Sequence, residues 1–153
     1  MREVNGLLEA RGMKVGIAIS RFNSFLTEQL LKGAVDAFVR LGGEEKNLVA
    51  VRVPGAYELP LVAKRLASSG VVDAVIALGA VIQGATPHAS LINETTARAF
   101  SQISIDTGVL VIDGVVSAES LEQAIERCGT KQGNKGFSAM QAAIETVNVL
   151  KGL

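Results

Sequence analysis

Four short apolar runs, separated by stretches with helical periodicity, constrain the fold of this chain more than any other feature. The runs span 14–20, 48–54, 71–82 and 108–116. The third is almost continuously apolar, which is typical of a central strand in a parallel sheet. Strands that alternate with helices over short connections predict a parallel sheet with helices on both faces. No linker or repeat interrupts the pattern, so we expect a single domain over residues 1–153.

Apolar residues at helical spacing predict the helices between these strands. The pattern predicts helices after the first strand, from about Tyr57 to Ser69, over about 86–106, over a short stretch near Leu121, and finally up to about Lys151. Their predicted inward positions are Leu26, Leu30, Ala34, Phe38 and Leu41; Leu91, Ile92, Thr95, Ala99 and Ile103; Leu121, Ala124, Ile125 and Cys128; and Ala139, Ala143, Ile144, Val147 and Leu150.

The segment "EVNGLLEA", before the first strand, has no place in this scheme. It is a candidate for an extra strand that joins the sheet of a neighbouring subunit.

Composition excludes several classes of protein. The chain has 15 basic and 15 acidic residues and 4 % aromatic residues, which argues against a nucleic-acid partner. No apolar run approaches about 20 residues, so we expect no membrane span. The single cysteine, Cys128, excludes a disulfide within the chain and leaves too few ligands for a cysteine-based zinc site. We therefore expect a cytoplasmic protein, with Cys128 as a small apolar residue.

Chemically versatile residues follow the predicted strands, at the edge of a parallel sheet where ligands bind. Phe22 follows the first strand, Tyr57 and Glu58 follow the second, and Asp113 ends the fourth. Phe22 is a candidate to stack on a planar ring, although an aromatic residue here also suits a core. Glu58 is a candidate to bind a polyol or an amine, although a glutamate in a first helical turn is also favoured by the helix dipole.

The third strand leads through "QGATPH" to His88, the only histidine of the chain. A Gly-Ala-Thr turn at a helix N-terminus favours an anion such as phosphate. The same residues also suit an ordinary helix start, with Thr86 as N-cap and Pro87 at the first helical position. Near a bound anion, His88 would be able to exchange protons with a substrate; the alternative is a surface or capping histidine. The later stretch "GTKQGNKG" lacks the Walker A spacing and follows a helix, so it is not a nucleotide P-loop.

Several motifs together resemble the lumazine synthases of riboflavin biosynthesis. They are "SRFN" (20–23), "VRVPGAYELP" (51–60), "ALGAVIQGATPH" (77–88) and "LEQAIERCGTKQGNKG" (121–136), and their order and spacing match over nearly the whole chain. The resemblance implies a flavodoxin-like three-layer fold around a four-stranded parallel sheet. It implies condensation of 5-amino-6-(D-ribitylamino)uracil with 3,4-dihydroxy-2-butanone 4-phosphate to 6,7-dimethyl-8-ribityllumazine, phosphate and water, with no cofactor and no metal.

The resemblance also implies roles for individual residues. His88 matches the proton-transfer residue. The residues that match the butanone phosphate site are Ala85, Thr86 and Arg127. Those that match the pyrimidine and ribityl pocket are Phe22, Ala56, Tyr57, Glu58, Ala80, Val81, Ile82, Asp113 and Lys135. In this family positions 113, 127 and 135 come from the neighbouring subunit, which implies a homo-oligomer with shared sites.

The chain departs from the family pattern at a few positions. Asp113 replaces a residue that is commonly large and apolar. Ala89 and Ser90 replace an aromatic and an acidic residue, Gln83 replaces a frequent arginine, and Ser138 a frequent glutamate. These departures motivate an alternative function, a flavin- or lumazine-binding shell or carrier with weak or no catalysis.

Assembly is expected to follow the shell-forming members of the family. The "GTKQGNKG" connection carries no insertion, and the N-terminal segment has no proline to stop strand addition. We therefore expect a 60-mer of twelve pentamers, with small-molecule substrates and with riboflavin synthase as a candidate partner.

Overall fold

All four strands lie in one parallel sheet, in the order β2-β1-β3-β4. The computed structural model describes residues 1–84, 87–129 and 133–153. The strands are β1 (Val15–Ser20), β2 (Leu48–Val53), β3 (Ala74–Ile82) and β4 (Leu110–Ala118). β1 is fully buried and β3 is buried along most of its length, because both are central and covered on two faces. The order matches the first four strands of a flavodoxin-like fold, which confirms the predicted class.

Helices cover both faces of the sheet. They are α1 (Ser24–Arg40), α2 (Leu59–Ala67), α3 (His88–Thr107), α4 (Leu121–Arg127) and α5 (Lys135–Lys151), with short 3-10 turns at Glu45–Asn47 and Ala56–Glu58. One core lies between the sheet and α1, α4 and α5, and a second lies between the sheet and α2 and α3. Within the part of the chain that the structure describes, no helix is long and apolar enough to cross a membrane.

The predicted inward faces of α1 and α5 are largely confirmed. Leu26, Leu30, Ala34 and Phe38 of α1 are buried, as are Ala139, Ala143, Ile144 and Val147 of α5. Leu41 is only partly buried and lies just after α1, and Leu150, in the last turn of α5, is half exposed. On α4 the buried residue is Ala124, with Cys128 buried just after the helix, whereas Leu121 and Ile125 are exposed.

The predicted inward face of α3 was partly wrong. Ala89, Thr96, Phe100 and Ile103 are buried, whereas Leu91 is 62 % exposed. Thr95 is also exposed, and Ile92 and Ala99 are only partly buried. The large ring of Phe100 sets the buried stripe. Thr96 tolerates burial because its hydroxyl donates to the carbonyl oxygen of Ile92, 2.9 Å away.

Some element boundaries also differ from prediction. β3 begins at Ala74 and not at Val71. The residues from Val71 to Asp73 lead into the strand, and the backbone N–H of Asp73 donates to the carbonyl of Lys14, just before β1. α3 begins at His88, so Pro87 is the N-cap and not the first helical residue. The predicted N-cap, Thr86, lies outside the described residues.

The N-terminal segment forms no strand within the single chain and packs along α5 instead. The side-chain amide of Asn148 donates to the carbonyls of Leu7 and Glu9, at 2.6 and 2.9 Å. At Gly6 the backbone passes so close to the Glu145 carbonyl that a Cβ atom would collide with it. Strand addition to a neighbour's sheet therefore stays a prediction.

Candidate functional site

A cavity of about 520 Å³ opens at the carboxyl ends of β1, β2 and β3. Along the chain β1 leads to β2, its neighbour on one side, and β2 leads to β3, which lies on the other side of β1. The cavity therefore lies at the topological switch point, where ligands bind in such sheets. We name it the main cavity. It is lined by Ser20, Phe22, Asn23, Gly55, Ala56, Tyr57, Glu58, Ala80, Val81, Ile82, Gly84, His88, Ala89 and Ile92.

The loop after β1 presents an aromatic ring to this cavity. Phe22 is 72 % exposed, so it is not the core residue that the alternative interpretation predicted. Its backbone N–H donates to the carbonyl of Pro54 at 3.0 Å, which ties the loop to the end of β2. The next residue, Asn23, adopts a left-handed conformation (φ 61°), the only positive φ among the described residues other than glycine. These backbone features fix the loop that carries the ring beside the cavity.

Asn23 lines the main cavity, and neither the sequence pattern nor the resemblance assigns it a role. Its side-chain amide donates to the carbonyl of Ala80 in β3, 3.0 Å away. Asparagine is one of the few residues that enter the left-handed region readily, and this one follows a strand directly. Those properties are the sequence signal that would have identified it.

The loop after β2 supplies the carboxylate. Oε2 of Glu58 accepts a hydrogen bond from the backbone N–H of Gly55 at 2.9 Å, which closes the turn. A carboxylate has a second oxygen, and Oε1 has no partner among the described residues. One oxygen of Glu58 therefore closes the turn and the other is available to a ligand, and the predicted binding of a polyol or an amine stays a prediction. Tyr57 beside it is 69 % exposed.

His88 is the first residue of α3 and lines the main cavity. Its side chain is exposed, and the imidazole makes no hydrogen bond to any residue that the structure describes. Ala85 and Thr86, predicted for the phosphate site, lie outside the described residues.

Asp113, Arg127 and Lys135 do not line the main cavity of their own chain. Asp113 and Lys135 line a separate cavity of about 440 Å³, and Arg127 lines a third of about 270 Å³. Both lie along β4, the strand at the other end of the sheet from β2. Within one chain, therefore, those predicted site residues that the structure describes form two groups, one at the main cavity and one along β4.

The outer edge of β4 holds these charged side chains in place. The carbonyl of Ala118 accepts a hydrogen bond from the backbone N–H of Gln83, which directly follows β3. The backbone N–H and C=O groups of the even-numbered residues of β4 therefore face β3, and those of the odd-numbered residues face outward. Lys135 Nζ donates to the carbonyl of Val115 at 2.9 Å, and Arg127 Nη1 donates to that of Ser117 at 2.5 Å. The two carbonyls are about 6.6 Å apart along the strand.

Asp113, expected at the end of the fourth strand, lies within β4, where the backbone of the same edge engages its side chain. Its Oδ1 accepts a hydrogen bond from the N–H of Val115 at 2.9 Å. No described cation lies within ion-pair distance of it. The carboxylate therefore neutralises neither Arg127 nor Lys135 in the single chain.

Cys128, the one cysteine, directly follows Arg127 and is buried. Burial raises the pKa of its thiol from 9.0 to about 11, so the thiolate is scarce at neutral pH and a nucleophilic role is disfavoured. Among the described residues no three histidine, cysteine, aspartate or glutamate side chains cluster as a metal site.

The main cavity has the groups needed for a planar polar ligand that reacts by proton transfer. It offers an exposed ring for stacking, a carboxylate oxygen for hydroxyl groups, an apolar strand end and an imidazole. It contains no described cation to meet a phosphate. The cations that would serve this purpose lie on the β4 edge.

Comparison with known proteins identifies the family. The profile of the 6,7-dimethyl-8-ribityllumazine synthase family matches residues 12–151. A protein of Syntrophus aciditrophicus (strain SB), named 6,7-dimethyl-8-ribityllumazine synthase, is 53 % identical over 146 residues, which cover 95 % of each chain. Among solved structures, a de novo designed Rossmann fold protein aligns with a TM-score of 0.41 and 20 % identity, over 74 % of this chain and 92 % of its own. The family profile matches nearly the whole length of the chain, and this chain therefore belongs to the 6,7-dimethyl-8-ribityllumazine synthase family.

Proposed function

We propose that the chain condenses 5-amino-6-(D-ribitylamino)uracil with 3,4-dihydroxy-2-butanone 4-phosphate to give 6,7-dimethyl-8-ribityllumazine, phosphate and water. The observation that carries the proposal is the main cavity, where Phe22, Glu58 and His88 meet at the switch point of a chain of this family. The amine adds to the ketone and loses water to form an imine, phosphate is eliminated, and ring closure releases a second water.

The pyrimidine and its ribityl chain would occupy the main cavity. The exposed ring of Phe22 suits stacking on the pyrimidine, and Ala80, Val81 and Ile82 offer an apolar wall at the end of β3. The free oxygen of Glu58 would accept hydrogen bonds from ribityl hydroxyls, beside Ala56 and Tyr57. Two reactants held side by side react much faster than two free ones, and this effect would supply much of the acceleration.

His88 would move the protons. Imine formation, elimination and ring closure each transfer a proton near neutral pH, which suits an imidazole. The exposed position of His88 at the cavity, with no described hydrogen-bond partner, leaves both ring nitrogens available to the substrate.

Phosphate departure requires a cation, and we propose that a neighbouring subunit supplies it. Arg127 is held at the β4 edge with guanidinium N–H groups left over, which suits a leaving phosphate. Ala85 and Thr86 would contact the same phosphate from the chain that carries His88. Lys135 and Asp113 would close the pyrimidine end of the neighbour's cavity.

This arrangement requires a closed ring of subunits, and we propose a pentamer that assembles further into a 60-mer. Large apolar side chains lie exposed on several elements, among them Leu61, Val71, Leu91 and Ile105. Exposed apolar surface of this extent favours burial against other subunits.

The N-terminal segment is proposed to add to the outer edge of β2 in a neighbour. The backbone N–H and C=O groups of the odd-numbered residues of β2 face β1, so those of Ala50 and Arg52 face outward. No described side chain donates to or accepts from them, whereas the β4 edge is engaged by its own side chains at Val115 and Ser117. Of the two edges, β2 is the one open to another strand.

A cytoplasmic location and an association with riboflavin synthase complete the proposal. The buried, unpaired Cys128 suits a reducing compartment. The product would be the substrate of that partner.

The direct test is turnover. The purified protein is mixed with both substrates, and lumazine absorbance and fluorescence are followed against the uncatalysed reaction. We expect formation well above background. A background rate from folded, assembled protein would contradict the proposal, and tight riboflavin binding in the same sample would then favour a carrier.

A further inference from the structure

We propose that a hydrogen bond between Gln83 and Ser90 is a positioning device for His88. The side-chain amide of Gln83 donates to Oγ of Ser90 at 2.8 Å. Gln83 directly follows β3, and Ser90 lies in the first turn of α3. The bond therefore joins the strand end to the helix start across the segment that leads into His88. The inference deepens the proposed function and rests on it for its catalytic readout.

Gln83 is a firm anchor because its backbone belongs to the sheet. Its N–H donates to the carbonyl of Ala118 at 2.8 Å, which fixes it against the end of β4. The side chain thus extends from a point that is fixed by two neighbouring strands.

The start of α3 has few other constraints. Pro87, the N-cap, makes no side-chain capping bond, and the first turn contains no acidic residue. Among the described residues, the other fixed points of this turn are the buried methyl group of Ala89 and the backbone bond from Leu91 to the Pro87 carbonyl, which is long at 3.2 Å. The next turn is tied to β4 by the side-chain amide of Asn93, which donates to Oγ of Ser117 at 2.8 Å. Loss of the Gln83 bond would leave the first turn attached to the sheet through Ala89 and, one turn later, through Asn93.

His88 depends on this turn, because its imidazole has no described hydrogen-bond partner. Where the ring lies is set by the backbone of the first turn of α3. Gln83 and Ser90 act through that backbone, so they are positioning residues and not catalytic ones. The pair is neutral, so salt does not screen it as it screens an exposed ion pair.

The test is a double-mutant cycle of Gln83→Ala and Ser90→Ala in the assembled protein. Each single variant is expected to lower kcat roughly threefold to tenfold with KM nearly unchanged, as for the loss of one hydrogen bond. The double variant is expected to match the worse single variant, because both remove the same bond. Additive losses, or losses confined to KM, would overturn the proposal. The matched control is Gln102→Ala, which removes a similar exposed bond to Asp106 near the far end of α3 and should leave kcat unchanged.

A substitute pair tests whether the contact between positions 83 and 90, and not the identity of the two residues, supports turnover. The double variant Gln83→Arg with Ser90→Asp replaces the hydrogen bond by an ion pair. Its kcat should lie within about twofold of the wild-type value at low salt. At about 1 M salt its kcat should fall again relative to wild type in the same buffer, because salt screens an exposed ion pair. Failure of the pair to rescue would contradict the proposal.

Hydrogen exchange provides a readout that does not need turnover. Protection of the amides of Leu91 and Ile92 should fall in Gln83→Ala and Ser90→Ala but not in Gln102→Ala. Unchanged protection would overturn the positioning role even if the protein proved inactive. Failure of the proposed function would instead appear as wild-type turnover equal to background.

Discussion

The side-chain amide of Asn23 donates a hydrogen bond to the carbonyl of Ala80, 3.0 Å away, and so joins the loop after β1 to the strand beside it. These residues belong to opposite sides of the switch point. Asn23 also takes the left-handed conformation that turns the chain into α1. One residue therefore shapes the main cavity through its side chain and starts a helix through its backbone conformation.

Replacement of Asn23 should separate these two contributions. Asn23→Gly keeps access to the left-handed conformation and loses the amide bond, which should cost about 1 kcal/mol of the free energy of unfolding. Asn23→Ala loses the bond and adds backbone strain, for a total of about 2 kcal/mol. Urea unfolding of both variants measures the difference. Equal stability of the glycine and alanine variants would show that the left-handed conformation does not carry the effect.

His88→Ala should slow lumazine formation about tenfold to hundredfold without abolishing it. The proton relay would be lost, while positioning and the neighbour's Arg127 would remain. The measurement is kcat by lumazine absorbance, with His88→Gln as a variant that preserves size and hydrogen bonding. Unchanged turnover in both variants would remove His88 from the chemistry.

Shared sites predict complementation between inactive variants. Subunits with His88→Ala and subunits with Arg127→Ala, each poorly active alone, are co-expressed with different tags and purified through both. In randomly mixed rings about a quarter of the interfaces pair an intact His88 with an intact Arg127, so about a quarter of wild-type activity should return. Separately assembled variants, mixed afterwards, are the control. No recovery in mixed rings would place all site residues in one chain.

Asp113 should act on the β4 edge through its bond to the Val115 N–H. Asp113→Asn keeps an acceptor and should leave stability nearly unchanged, whereas Asp113→Leu removes it and should cost about 1 kcal/mol. If the carboxylate opposes phosphate binding, the asparagine variant should also show a lower KM for the butanone phosphate. Urea unfolding and steady-state kinetics of the two variants measure both effects.

The buried thiol of Cys128 predicts a loss of stability at high pH. Its pKa is 9.0 when exposed and about 11 in the fold, so the native state keeps the proton longer than the unfolded state. The stabilisation is complete below pH 9 and declines as the pH rises towards about 11, by about 3 kcal/mol in total. Comparison with Cys128→Ala removes the contribution of other groups that titrate there. Parallel stability curves for the two proteins would exclude this assignment.

Much of the fold was predictable because it depends on local periodicity. The strands, the five helices and the inward faces of α1 and α5 follow from apolar spacing. The inward face of α3 was less predictable, because two sets of residues have similar helical spacing. One set includes Leu91 and Thr95, and the other includes Thr96 and Phe100; packing against the sheet and α2 buries the second set. Of the cavity residues, Asn23 was missed because its role comes from a bond to Ala80, 57 residues later in the chain.

The sequence by itself determined the alternating parallel α/β architecture, the motifs of the family and the loops that carry the chemical groups. Only the tertiary structure decided which of those groups meet. The order β2-β1-β3-β4 brings Phe22, Glu58 and His88 to one cavity and places Arg127 and Lys135 on the far edge of β4. Periodicity reports which face of an element is buried, whereas strand order depends on contacts between distant segments, and these are settled only when the chain packs.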